Sequence, residues 1–154
     1  MRNAKTFLSV AAVVAIAATS VVLAHSGATG IVKKRMDAMS DIGKNMKTIG
    51  TMLKGEAAFD GEAVKASASV IAGHAKEIPH LFPEGSNEKP TEALPSVWDK
   101  WDEFTAIASD LESAAGRLAE VASSAGDVSE IKKQFLGVAK TCKSCHEDFR
   151  LKKE

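Results

Sequence analysis

The sequence predicts an all-α domain, an antiparallel up-down-up-down four-helix bundle. Three observations carry that prediction. Apolar residues recur at three- and four-residue steps in four separate stretches, the spacing that collects them on one face of a helix. The 154 residues are 45% hydrophobic but only 5% aromatic, with no Tyr and abundant Ala, which suits helices better than short strands. All four prolines fall within residues 79–95, so a single long connection interrupts the helical pattern.

The chain opens with Arg2 and Lys5, then an almost continuous apolar run over residues 7–23, closed by Val22-Leu23-Ala24. This is the pattern of a secretory signal peptide over residues 1–24, leaving a mature domain of residues 25–154. A retained membrane anchor is the competing reading. The run is short for a span and dominated by weakly hydrophobic alanine. Removing Arg2 and Lys5 leaves 18 basic against 20 acidic residues. The expected location is a bacterial periplasm, with no membrane contact after the signal is removed.

The first helix is expected over residues 31–53, with Met36, Met39, Ile42, Met46, Ile49 and Leu53 as its stripe and Gly55 just beyond its end. Asp60 caps the second, whose stripe is Val64, Ala68, Ile71, Ala75 and Ile78, and Pro79 stops it. Ser96 caps the third, with Val97, Trp101, Phe104, Ala108, Leu111, Ala115, Leu118 and Ala122 on its stripe before Gly126. Asp127 and Glu130 match a capping box for the fourth, which carries Ile131, Phe135, Val138, Cys142, Cys145 and Phe149. No stripe can be buried alone, so the four pack together.

Balanced charge, 20 basic against 20 acidic, predicts no nucleic-acid partner. No Ser/His/Asp set, paired carboxylates or phosphate loop is present, which excludes hydrolytic and transferase chemistry and makes an enzyme the weakest option. One motif carries chemistry: Cys142-Lys143-Ser144-Cys145-His146, the Cys-x-x-Cys-His attachment signature of a c-type haem. On a helix these positions share a face, so both thiols reach the vinyl groups of one porphyrin while His146 turns toward the iron. A thioredoxin-like disulfide would belong near a βαβ pattern, and a zinc site would need further ligands although no other Cys exists. The cofactor expected is one haem c, covalent through Cys142 and Cys145, with His146 the proximal ligand.

No Met or His follows His146, so a sixth ligand has to come from upstream. The first and last helices of such a bundle are antiparallel neighbours. At 1.5 Å per residue, His146 is about 12 Å from the chain end, a level matched about eight residues into the first helix. Met39 sits there, with Met36 one turn before it. Met46 and Met52 are expected to fill the core, and His74 and His80 to face solvent.

The chain resembles the class II cytochromes c, cytochrome c prime and its low-spin Met/His-ligated relatives. The likeness runs over the whole mature chain, through Ile31-Val32-x-x-Arg35-x-x-x-Met39, Leu53-Lys54-Gly55-Glu56, Leu81-Phe82-Pro83-Glu84-Gly85-Ser86, Pro95-Ser96-Val97-Trp98 and Gly137 to Arg150. The resemblance implies that Arg35 pairs with a haem propionate, that Arg150 is a basic residue flanking the proximal histidine, and that Met39 lies on the distal face. It also divides there. In the low-spin branch Met39 binds the iron and the protein is a one-electron carrier serving redox partner proteins, which is the expectation here. In the alternative, the high-spin branch, the iron is five-coordinate and the site takes nitric oxide or carbon monoxide. Lys140, Lys143, Lys152 and Lys153 are expected around the haem edge, where they could steer an acidic partner. Family members are often homodimers through the first two helices, and nothing in the sequence decides whether this chain is one.

Overall fold

The computed structural model describes residues 27–152. The expected signal peptide at residues 1–24 lies outside the described residues. Helix α1 (Gly30–Leu53), α2 (Gly61–Glu77), the short turn α3 (Ser96–Asp99), α4 (Trp101–Ala122) and α5 (Val128–Phe149) build the antiparallel bundle, α3 and α4 together forming its third member. Among the described residues there is no strand, only an isolated antiparallel bridge between Ala93 and Arg150.

The boundaries follow from local chemistry. Gly55 ends α1 with φ +73, donating to Met52 O at 3.0 Å while Glu56 N donates to Thr51 O at 2.9 Å. This is a Schellman pair, and the left-handed residue it needs is the reason for glycine there. Asp60 caps α2 by accepting from Ala63 N at 3.1 Å. Gly61 then starts the helix where the chain runs against α4: a Cβ there would lie 2.9 Å from the Ala122 carbonyl oxygen. The second helix passes at Pro79 into a 3-10 turn, Ile78–Leu81, rather than stopping outright.

At the start of α5, Asp127 accepts from Ser129 N at 2.7 Å and Ser129 Oγ at 2.6 Å, while Gly126 N donates to Glu130 Oε1 at 3.2 Å. These Ser129 bonds hold the Asp127 carboxyl below its ordinary value. A depressed folded-state pKa stabilises the fold above the unfolded carboxyl's pKa, and that contribution is lost as pH falls through the folded value. Asp127→Ala therefore lowers Tm at neutral pH, and thermal melts will show the gap to wild type closing in acid.

The third helix departs from its expected form. Ser96 is not its cap but its first residue, with a hydroxyl that donates to Asp148 O at 2.8 Å. Lys100, at φ −124 and ψ +47, then breaks the helix. The break rotates the register, so Val97 is buried while Trp101, expected on the buried stripe, is 37% exposed. From Phe104 to Ala122 the expected stripe is buried.

Ile49, Val64, Ile71, Leu118 and Ile131 are wholly buried within one continuous core. Each aliphatic side chain of this size contributes about 1.5–3 kcal/mol on burial. Packing is closest between α2 and α4, followed by α4 with α5 and α1 with α2, whereas α1 and α5 scarcely touch. On α1, Ile42, Ile49 and Met52 are buried, but Met36, Met39, Met46 and Leu53 are only half-buried. The cavity between α1 and α5 explains the three methionines that line it.

Candidate functional site

The weakly packed seam between α1 and α5 holds a cavity of about 650 Å³, within the 300–1,000 Å³ usual for small-molecule and cofactor sites. Arg35, Met39, Cys142, Cys145, His146 and Arg150, the six residues singled out from sequence, all line it. Helical spacing explains the grouping: residues 142, 145, 146 and 149 lie along one side of α5, and residues 35, 39, 42 and 46 along one side of α1.

Both cysteines are free and half-buried. Burial pushes the Cys142 thiol up. Cys145 is pushed up to about 11, first by burial and then by Cys142 and Asp148. Both therefore stand as neutral thiols at neutral pH, compatible with an apolar wall. Part of His146 is open to solvent. Burial of the remainder and the nearby Arg150 charge lower its pKa, with Glu92 opposing. A neutral imidazole keeps the lone pair that a metal requires.

Arg35 is buried at 3% exposure, and its placement is more specific than that of a helix surface charge. It donates to Ser86 Oγ at 3.1 Å, to Ser86 O, and to Thr91 Oγ1 at 2.7 Å, with its guanidinium 4.7 Å from the Phe82 ring centroid. Arg35 thus ties α1 to the 82–95 crossover. Those partners are all neutral, so an anionic group brought into the cavity would gain a buried cation at its wall. Arg150 lies past the end of α5, with Nε 3.4 Å from Glu92 Oε2 and Nη1 3.5 Å from His146 Nδ1.

Sequence reasoning missed part of the lining. Met46, expected in the core, faces the cavity, seven residues from Met39 and on the same side of α1. That spacing was the available signal. The crossover contributes Phe82, Thr91, Glu92 and Ala93, for which the apolar Leu81-Phe82 within a turn-rich segment was a weak sign. His74, expected to face solvent, is partly buried and pairs with Asp41 Oδ2 at 2.9 Å, joining α2 to α1 away from the cavity. His80 is exposed and borders a separate open groove of about 480 Å³ beside Trp98 and Trp101. Lys140, Lys143 and Lys152 are exposed, and Lys143 lies 3.6 Å from Glu147; Lys153 is outside the described residues.

Two thiols and an imidazole on one wall of an apolar cavity, with a buried guanidinium on another, are the donor set of a covalently bound haem. Fold and site together define a four-helix-bundle c-type cytochrome. The family model described as Cytochrome C' matches residues 30–150, and the chain belongs to that family. Cytochrome c' from Rhodopseudomonas palustris is 38% identical over 130 residues, 81% of this chain and 84% of the relative. A solved structure of cytochrome c' from Rhodopseudomonas palustris superposes with a TM-score of 0.76 at 36% identity, covering 82% of this chain and all of that one. Cytochrome c-556 from Agrobacterium tumefaciens is 35% identical, with 80% of this chain and 99% of the relative covered. Another solved cytochrome c', 31% identical with a TM-score of 0.72 over 79% of this chain and 95% of that one, is described as having ligand-controlled dimer dissociation. Members of the family bind covalent haem c, and Cys142 and Cys145 stand in its attachment signature. Among the described residues, no helix is long and apolar enough to cross a membrane.

Proposed function

We propose that this chain is an exported haem c protein of the cytochrome c' type whose distal face is closed by Met39 without a bond from its sulfur. Cys142 and Cys145 attach the haem, His146 is the proximal ligand, and Arg35 offers its buried charge to a propionate. When bound, the haem supplies a one-electron couple and an axial site for a neutral diatomic ligand. The reading rests above all on the cavity that gathers these residues. Its α1 wall is apolar at Met36, Met39, Ile42 and Met46. The polar residues of that wall are Arg35, engaged by the crossover, and Ser40, which is exposed.

A wall poor in hydrogen-bond donors favours nitric oxide or carbon monoxide over dioxygen, whose bound form needs polar stabilisation. The cytochrome c' relatives support the same branch. Export rests on the leader-like pattern of residues 1–24 together with family membership. Redox proteins are the expected partners, and the ligand-sensitive dimer of one relative makes a homodimer the assembly to test.

A second reading has its own observation. Met39 places a thioether on the cavity that His146 lines, which is what a Met/His-ligated electron carrier needs. Met39→Ala separates the two. On the proposed reading the unliganded spectrum changes little and carbon monoxide binds faster, because only a plug is removed. A switch from a low-spin to a high-spin spectrum in that variant would establish Met39 as a ligand and overturn the proposal.

A further inference from the structure

We infer that Glu92 is a positioning residue for the haem iron, acting through Arg150 on His146. This rests on the reading of His146 as proximal ligand. The crossover and the end of α5 are clipped together at this point: Leu94 N donates to Phe149 O at 3.0 Å, Leu151 N donates to Glu92 O at 2.8 Å, and Ala93 and Arg150 form the bridge between them. The backbone of residue 92 is therefore fixed relative to that of residue 150. Above this clip, the Glu92 carboxylate lies 3.4 Å from Arg150 Nε, and the other end of the same guanidinium lies 3.5 Å from His146 Nδ1. All three residues line the cavity.

The chemistry of the arrangement is unusual for a metal-bound histidine. The ring nitrogen that does not hold the metal normally donates to a carboxylate, a carbonyl or water, which makes the ring a better electron donor. Guanidinium has donors and no acceptor, so Arg150 cannot play that part. It presents positive charge to Nδ1, and His146 stays a weak donor to the iron. Glu92 holds that charge in place and offsets part of it, because opposite charges a few ångströms apart attract. Both side chains are partly open to solvent, which screens the pair, but the backbone bridge holds it against an iron ligand.

The test is a double-mutant cycle on the holoprotein, with reduction potential and the iron–histidine stretching frequency as readouts. E92Q is expected to shift both, R150Q to shift the potential the opposite way, and the E92Q shift to shrink by at least half when Arg150 is already glutamine. E92D, which keeps the carboxylate, is expected to recover part of the wild-type frequency. An E92Q shift of the same size in both backgrounds would show Glu92 acting as a simple charge, and no shift at all would remove it from the site; either result overturns the inference. A holoprotein whose iron–histidine band survives loss of His146 would instead overturn the underlying assignment of the proximal ligand.

Discussion

A chain carrying alanine at both Cys142 and Cys145 will hold no haem through denaturation. Haem peroxidase staining after denaturing electrophoresis, strong for wild type, is expected to fall to background. The reason is covalent. Both thiols lie on the cavity wall, three residues apart on α5, and no other cysteine exists in the chain to replace them. With both removed, His146 and the apolar walls would still offer the cavity to haem, but detergent would release it. Cys145→Ala alone leaves one attachment point and should weaken the stain. Wild-type staining in the double variant would contradict the whole assignment.

Leu118→Ala is the expected extreme for stability. Leu118 is wholly buried in the core and lies on α4, the helix that packs against both α2 and α5. Leucine-to-alanine changes at such sites cost about 2–5 kcal/mol, more where neighbours cannot collapse into the space. A site held between two helices belongs in the upper half of that range. For a domain of this size Tm should fall by about 10 °C or more. Leu118 does not line the cavity, so the haem spectrum should be unchanged below the transition. Leu111, two turns earlier, does line it. Truncation there enlarges an existing space, and its effect should appear in ligand binding more than in Tm. Guanidinium or thermal unfolding of the two variants, followed beside carbon monoxide binding, checks the contrast.

The bundle was legible because its apolar periodicity is strong and its punctuation is local. Gly55, Asp60 and Asp127 mark the ends where the structure places them, each through a hydrogen bond that only its residue type or conformation provides. The break at Lys100 was not legible, because neither proline nor glycine occupies it. It arises where Ser96 binds the end of α5 and Trp101 turns outward, both tertiary effects. The candidate site was read from the Cys-x-x-Cys-His run and from the level of Met39 on the first helix opposite His146, with Arg35 and Arg150 supplied by the family resemblance. The neutral partners of Arg35 and the Glu92–Arg150–His146 chain escaped that reading. They depend on where the crossover settles, and a turn-rich segment carries no periodicity from which to place it.

The most direct test of the account is the absorption spectrum of the purified holoprotein, oxidised, reduced, and reduced under carbon monoxide. The account predicts a broad high-spin spectrum in the first two states and a clear shift with the gas, as an iron with His146 on one side and an unbound Met39 on the other requires. Sharp, split low-spin bands in the reduced protein, unmoved by carbon monoxide, would contradict it and place the Met39 sulfur on the iron.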